Sequence, residues 1–438
     1  MKLPKIDKLC ARSEFKGLFA PAVTDAAKKV VAALRESGRE ASEEEVAKLV
    51  KNEYFKFENA APKPVINATG IVVHTNLGRS PISSEIWRKV EPLVSGYSNL
   101  EYDLQKGTRG DRYAFVSQLM KMFFGCEDAI VVNNNAAAVF LVLNTLAKGR
   151  EVVVSRGELV EIGGSFRLPE VMANSGAILR EVGATNKTRA SDYADAVGEN
   201  TAMFMKAHKS NYDIVGFSAE VSAGELAKVA RDSNLISYYD LGSAYIGTLP
   251  FGLSKDEPNL ANVIKSGADV ISFSGDKLFG GPQCGIIVGR GDLVAKLRKN
   301  QLLRMLRVDK ITLALLAETI MAYMDKNYAL IKGFNQIHAP LEALEKNAQE
   351  LISNLNSSNL KFEIVRSRTY VGGGTLPNKS YPTVAVAFSG EAQKLERKFR
   401  QKGVVGRIED GRFLLDFRSI FPEHIAPLTK IIEEISNE

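Results

Sequence analysis

The sequence is poor in the groups that staple a chain or ligate metals. Three cysteines (Cys10, Cys126 and Cys284) lie far apart with no CxxC pair, which excludes a disulfide framework and argues against a zinc site. Four histidines (His74, His208, His338 and His424) are too scattered for a His-based cluster, so no metal is expected. No apolar run approaches the roughly 18–20 residues that cross a bilayer. The opening MKLPKIDKLCARSEF lacks the apolar stretch of a secretory signal. An excess of one charge is missing too: 57 basic against 51 acidic side chains give +6, which permits a polyanionic partner without demanding one. What is present is the ordinary globular balance, 45% apolar and 25% charged over 438 residues. That suffices for full cores in two or three domains. The chain reads as a reduced, cytoplasmic protein, and an enzyme by default.

Three regions differ in pattern. Residues 1–64 are helical and charged, with alanines and valines at helical spacing in Thr24–Arg39. A second helix is expected from Ser42, where Glu45 completes a capping box. Ala61-Pro62-Lys63-Pro64 breaks the helix and serves as a linker. Thirteen basic and ten acidic residues in positions 1–65 leave +3, which fits a solvated appendage and an RNA-binding role equally well. Residues 65–308 alternate short apolar runs with amphipathic helices. The expected strands are Ala129–Val132, Glu151–Val154, Ala202–Met205, Ile236–Tyr239, Val270–Phe273 and Gly285–Val288, which imply a large, mostly parallel α/β domain. Residues 309–438 open with a long helical stretch to Lys332. Alternating strands (Thr383–Phe388, Arg412–Leu415) and a closing helix then suggest a smaller C-terminal α+β domain.

The residue types that carry chemistry cluster at strand ends. In VISFSGDKLFGGPQCGIIVG an apolar strand ends at Phe273, and Ser274-Gly275-Asp276-Lys277 turns out at its carboxyl edge, where open α/β sheets place ligands. A lysine there suits Schiff-base chemistry, although an exposed loop lysine would look the same. Asp240 ends the strand of LISYYDLGSAY and could pair with a protonated pyridine nitrogen, or simply close the strand. VVNNNAAAV runs from a strand through Asn134 and Asn135 into Ala136 at a helix start, a position that favours phosphate. Asparagines also cap helices routinely. Ser274 could add a hydroxyl to the same phosphate. Phosphate cradle, then Asp240, then Lys277 is the chain order of fold-type I pyridoxal-phosphate enzymes. No P-loop, GxGxxG or Gly-x-Ser-x-Gly elbow competes with that reading. Arg79, and Arg304 with Arg307 at helical i,i+3 spacing, suit a phosphate-like anion, or surface salt bridges. Two further arginines in the Gly107–Arg112 loop have no assigned role. His208 could orient the ring or substrate, or be a packed strand-end residue.

INATGIVVHTNLGR, NLEYDL, VVNNNAAAV, EVVVSRGELVEIGGSFRLPEVM, DLGSAY, SFSGDKLFGGPQCGIIVG and GRIEDGRFLLDFR together closely resemble bacterial selenocysteine synthase, the L-seryl-tRNA(Sec) selenium transferase family. The likeness covers nearly the whole chain, though residues 1–60 match in character more than in detail. It implies pyridoxal 5'-phosphate on Lys277, catalysis by Asp276, and a selenophosphate site at Arg79, Arg304 and Arg307. It also implies seryl-tRNA(Sec) held by the N-terminal domain, and a homodecamer built as a pentamer of dimers. Neither a membrane nor DNA is an expected partner. The implied reaction is β-elimination of water to a dehydroalanyl-tRNA adduct, then selenium addition. Lys209 stands where some members have threonine, with no consequence for a catalytic role. A lyase acting on a small free amino acid or amino sugar acid is the alternative, and such an enzyme would not need the N-terminal helices.

Overall fold

The computed structural model describes residues 3–159, 161–162, 166–210, 212, 214, 216–255, 257–355 and 359–437. Val160 and 163–165, which fall in one of the quoted motifs, lie outside the described residues, as do Asn211, Asp213 and Val215. The chain divides into two compact units, Met1–Val65 and Ile66–Glu438.

The first unit is built on helices Ala20–Ser37 and Glu43–Ala60. Gly38 stops the first helix in a left-handed conformation (φ 62°), as C′ glycines do. Ser42 and Glu45 form the expected reciprocal capping box. The inward faces bury Val23, Ala27, Val31, Val46, Val50 and Tyr54, so this small unit has a core of its own.

The second unit is α/β. Its large sheet has seven strands: β1 (Asp128–Val132), β2 (Glu151–Ser155), β3 (Ile178–Val182), β4 (Thr201–Ala207), β5 (Ile236–Gly242), β6 (Val270–Ser274) and β7 (Gly285–Gly289). Their order is β1-β7-β6-β5-β4-β2-β3. Only β7 runs against its neighbours β6 and β1, and the other pairs are parallel. Val152, Val153 and Val154 are wholly buried because helices cover both faces of such a sheet. Strand β3 was not among the expected strands. It lies at the sheet edge, where Arg180 and Glu181 break the apolar run that marks an interior strand.

A four-stranded antiparallel sheet forms the smaller C-terminal domain: β8 (Phe362–Gly372), β9 (Thr375–Phe388), β10 (Arg407–Glu409) and β11 (Arg412–Asp416), in the order β8-β9-β11-β10. Its core takes Val384, Phe388, Phe399 and Phe413 together with Ile66 and Ala68 from far upstream. The helix expected from Asp309 to Lys332 is capped by Asp309 and ends at Met324. It buries Leu313, Leu316 and Ile320 in the large core rather than in the smaller domain. This follows from its sequence, which is apolar on nearly every side.

Candidate active site

Lys277 sits in the connection between β6 and β7. The turn closes through Gly275 N to the Cys284 carbonyl (2.9 Å), Gly281 N to the Gly275 carbonyl (2.8 Å) and Gly280 N to the Lys277 carbonyl (2.9 Å). A side chain at position 275 would collide with Cys284 Sγ and the Pro282 carbonyl oxygen, so glycine is required for the close approach. Lys277 itself is only 7% exposed. Burial, with Arg79 nearby, pushes its amine below the usual lysine range; both act against the charged form.

The HTNLGR turn supplies that arginine. His74 Nδ1 accepts from Asn76 N (3.2 Å), Gly78 turns left-handed (φ 86°), and Arg79 follows in the same region at φ 60°. A non-glycine residue there is uncommon and is held at some cost in backbone strain. From it Arg79 Nη1 donates to Asp276 Oδ2 at 2.9 Å. The next residue fastens the two segments together. Ser80 N donates to the Asp276 carbonyl (3.2 Å) and Ser80 Oγ to the Lys277 carbonyl (2.9 Å).

Asp240 closes β5, buried beside this turn. Asn135 Nδ2 (2.7 Å), Gly242 N (3.0 Å) and Ser272 Oγ (3.3 Å) all donate to its Oδ1. Among the described residues this leaves Oδ2 for a further donor. Burial raises the carboxyl above its usual range, against those hydrogen bonds and the Lys277 charge. An additional N–H donor would stabilise the carboxylate. Asn135 Oδ1 is buried without a partner among the described residues, a second unfilled polar position in the same place.

A candidate phosphate cradle lies across three adjacent strands. Ser274 pairs with Gly285, and Gly285 pairs with Val132, so the Ser274 hydroxyl lies two strands from the start of helix Asn135–Leu146. Asn134 caps that helix, its Oδ1 accepting from Ala137 N at 2.8 Å. The Ala136 N–H belongs to the first helical turn, where it has no intrahelical partner. Gly285 lacks a side chain because one would strike the Asn134 carbonyl oxygen. His208 ends β4. Its N–H donates to the Asp240 carbonyl (2.8 Å), and its Nε2 lies 3.2 Å from Glu257 Oε2. A buried lysine, a strand-end carboxylate and a helix N-terminus therefore meet around one site. They fit pyridoxal phosphate, with Lys277 for its aldehyde carbon, Asp240 for its ring nitrogen, and Asn134, Asn135, Ala136 and Ser274 around its phosphate.

Arg304 and Arg307 occupy a different place. The helix covers only Leu302–Leu306, and Arg307 is already extended (φ −68°, ψ 143°), because the chain must turn before Asp309 caps the following helix. The one-face helical arrangement is not formed. Both arginines nevertheless line a pocket of about 480 Å³ with Arg109, Arg112, Arg298 and Lys299, opposed by Glu101 and Asp111. The Gly107–Arg112 loop thus acquires a place: Arg112 Nη1 donates to the Val308 carbonyl at 2.6 Å. The arginine segment is tied to the residue after β1 by Asn133 N, which donates to the Leu306 carbonyl (3.0 Å). Of the three arginines, Arg79 is the one that touches the Lys277 turn among the described residues.

Ser80, Ser272, Glu257 and the Gly372–Thr375 turn were not among the candidate residues. Ser80 directly follows the HTNLGR motif, and the three consecutive glycines at 372–374 were a visible signal. A buried ion pair, Lys206 Nζ to Glu158 Oε1 at 2.8 Å, underlies the same sheet edge and had no sequence signature.

Both fold and site define a class: the architecture is that of the fold-type I pyridoxal-phosphate-dependent enzymes. A solved structure of D-glucosaminate-6-phosphate ammonia-lyase aligns with a TM-score of 0.60 at 20% identity, over 87% of this chain and 98% of that one. The sequence profile of L-seryl-tRNA selenium transferase matches residues 65–421. An L-seryl-tRNA(Sec) selenium transferase of Campylobacter fetus subsp. fetus is 57% identical, over 100% of this chain and 99% of the relative. One from Nautilia profundicola is 49% identical over 99% and 97%. The chain belongs to the L-seryl-tRNA selenium transferase family.

Proposed function

We propose that this protein converts L-seryl-tRNA(Sec) to L-selenocysteinyl-tRNA(Sec) in the cytoplasm, with pyridoxal 5'-phosphate as cofactor and selenophosphate as selenium donor. The observation that carries the reading is the 57% identity to a curated transferase over the whole chain. That identity includes the N-terminal helices, which the family profile does not cover. The fold alone is equally compatible with a lyase.

When bound, pyridoxal phosphate withdraws electrons from the amino acid and acidifies its Cα hydrogen. The chain's own residues do the rest. Asp240, oriented by Asn135, Gly242 and Ser272, would pair with the protonated ring nitrogen. The helix start at Asn135–Ala136 and the Ser274 hydroxyl hold the phosphate. Lys277, depressed by burial, is a neutral amine more of the time than a surface lysine and serves as base at the seryl Cα. Asp276, held by Arg79, lies one residue away to shuttle a proton with it at the departing β-hydroxyl. Arg79, Arg304 and Arg307 bind the donor's anionic oxygens. The exchange balances: the β-oxygen of serine leaves as water, selenium replaces it, and a water oxygen ends on phosphate.

Residues 1–64 grip the tRNA in this reading, and the active enzyme is a decamer arranged as a pentamer of dimers. The test is conversion of seryl-tRNA(Sec) by purified protein supplied with radiolabelled selenophosphate. Selenium appearing in the aminoacyl group supports the reading. Turnover of free serine with seryl-tRNA untouched would replace it with the lyase.

A further inference from the structure

The β8–β9 hairpin of the smaller domain reaches the lysine of the larger one. Gly372 pairs with Thr375, so Gly373 and Gly374 form the turn between them. Three contacts fix this tip. The Val73 N–H donates to the Val371 carbonyl (2.8 Å), and Thr375 Oγ1 donates to Ser243 Oγ (3.1 Å), just beyond Asp240. Leu376 adopts φ 52°, a strained conformation for leucine. It is retained because the side chain is buried with Val72, Val73 and Leu278, the neighbour of Lys277. The tip is therefore placed by packing on both sides of the lysine.

The three glycines are there for different reasons. A side chain on Gly372 would collide with the Val73 carbonyl oxygen, so that glycine is demanded by the fold. Gly374 is not in a left-handed conformation, and a Cβ on it would meet only Lys277, at 3.7 Å from Cε and 3.8 Å from Nζ. Those are ordinary contact distances. Neither backbone conformation nor a clash requires glycine at 374. What a side chain there would remove is open space beside the reacting amine. Lys277 is nearly enclosed, whereas Gly373 is exposed and Gly374 half-buried, so the tip is a partly solvent-exposed wall beside the amine.

We propose that Gly374 is a specificity-determining residue whose bare backbone keeps open the passage to Lys277 Nζ for an amine carried on a bulky ester. The inference rests on the proposed transferase reading, in which the substrate is an aminoacyl ester at the end of an RNA. A free amino acid needs less width. Substitution at 374 therefore narrows the range of amines that reach the lysine without altering the seat of the cofactor.

The test uses full-length, cofactor-loaded Gly374→Val and Gly374→Ala, with Gly373→Ala as control. Loss of the visible cofactor band is followed on treatment with methoxyamine, a small amine, and with O-benzylhydroxylamine, a wide one. Gly374→Val is expected to slow the wide reagent about tenfold and the small one less than about twofold, with Gly374→Ala intermediate and the control unchanged. Its kcat/KM for seryl-tRNA should fall about tenfold, with binding of uncharged tRNA retained. Equal slowing of both reagents, no slowing of either, or failure of Gly374→Ala to load cofactor would overturn the proposal. Wild-type protein that leaves seryl-tRNA unconverted, yet gives the same two-reagent contrast through Gly374, refutes the transferase reading alone.

Discussion

Two cationic sites differ in how the protein keeps their charge. Around Lys277 the groups are few and mostly buried: one amine, the half-buried Arg79 already paired with the Asp276 carboxylate, and the Asp240 carboxylate fixed by three donors. Around Arg304 and Arg307 the cations are many and partly exposed. Glu101 is shared by Arg112 (2.6 Å), Arg109 (3.2 Å) and Arg307 (3.9 Å). The hydrogen bond from Arg112 holds the Glu101 carboxyl below its usual range. Burial suppresses charge in the first site. In the second, solvent tolerates an excess of positive charge that an anion would neutralise. The first arrangement suits chemistry at an amine, and the second suits capture of a phosphate-like group.

The largest effect should come from the buried site. Lys277→Ala is expected to abolish selenium transfer and the cofactor's visible band while leaving the secondary structure measured by circular dichroism unchanged. Residual turnover above background would break the distinction between the two sites.

Removing the N-terminal unit comes next. Deleting residues 1–64 leaves Ile66 and its core contacts intact, so the cofactor band should survive while tRNA gel shifts are lost. Undiminished tRNA affinity would move the tRNA site to the second unit.

Single arginine changes should be smaller. Arg79→Ala, Arg304→Ala and Arg307→Ala should each raise the selenophosphate concentration needed by roughly ten- to a hundredfold, as charge-assisted contacts do. Unchanged donor dependence in all three would make them structural.

The smallest effect is a pH shift that separates Arg79 from the other two. In cofactor-free protein Lys277 is held below the usual lysine range by burial and then by Arg79. Removing the Arg79 cation, and leaving Asp276 unpaired, favours the charged amine. The pH midpoint for amine acylation at Lys277 should therefore move upward in Arg79→Ala, and stay put in Arg304→Ala. Peptide-resolved labelling across a pH series measures it.

The positions of Asp240 and Lys277 were legible because both lie at the ends of apolar strands. Asp240 after SYY and Lys277 after SFSGD end strands whose interiors are wholly buried, and such apolar runs stand out in sequence. The edge strand β3 was not readable, because solvent on one side lets Arg180 and Glu181 interrupt it. The arginine segment was misjudged in shape, since helical spacing does not reveal that the helix stops at Leu306. Long-range partners were the least legible. Arg79 and Asp276 stand 197 positions apart, and no local pattern announces a pair that only the fold brings together. The placement of Gly374 beside Lys277 is of the same kind.

The most direct test is which lysine takes up the cofactor. Borohydride reduction of the purified protein, followed by peptide mapping, should place the reduced pyridoxyl label on Lys277 alone and erase the visible band. Label on Lys206, Lys299 or any other lysine, with Lys277 unmodified, would contradict it.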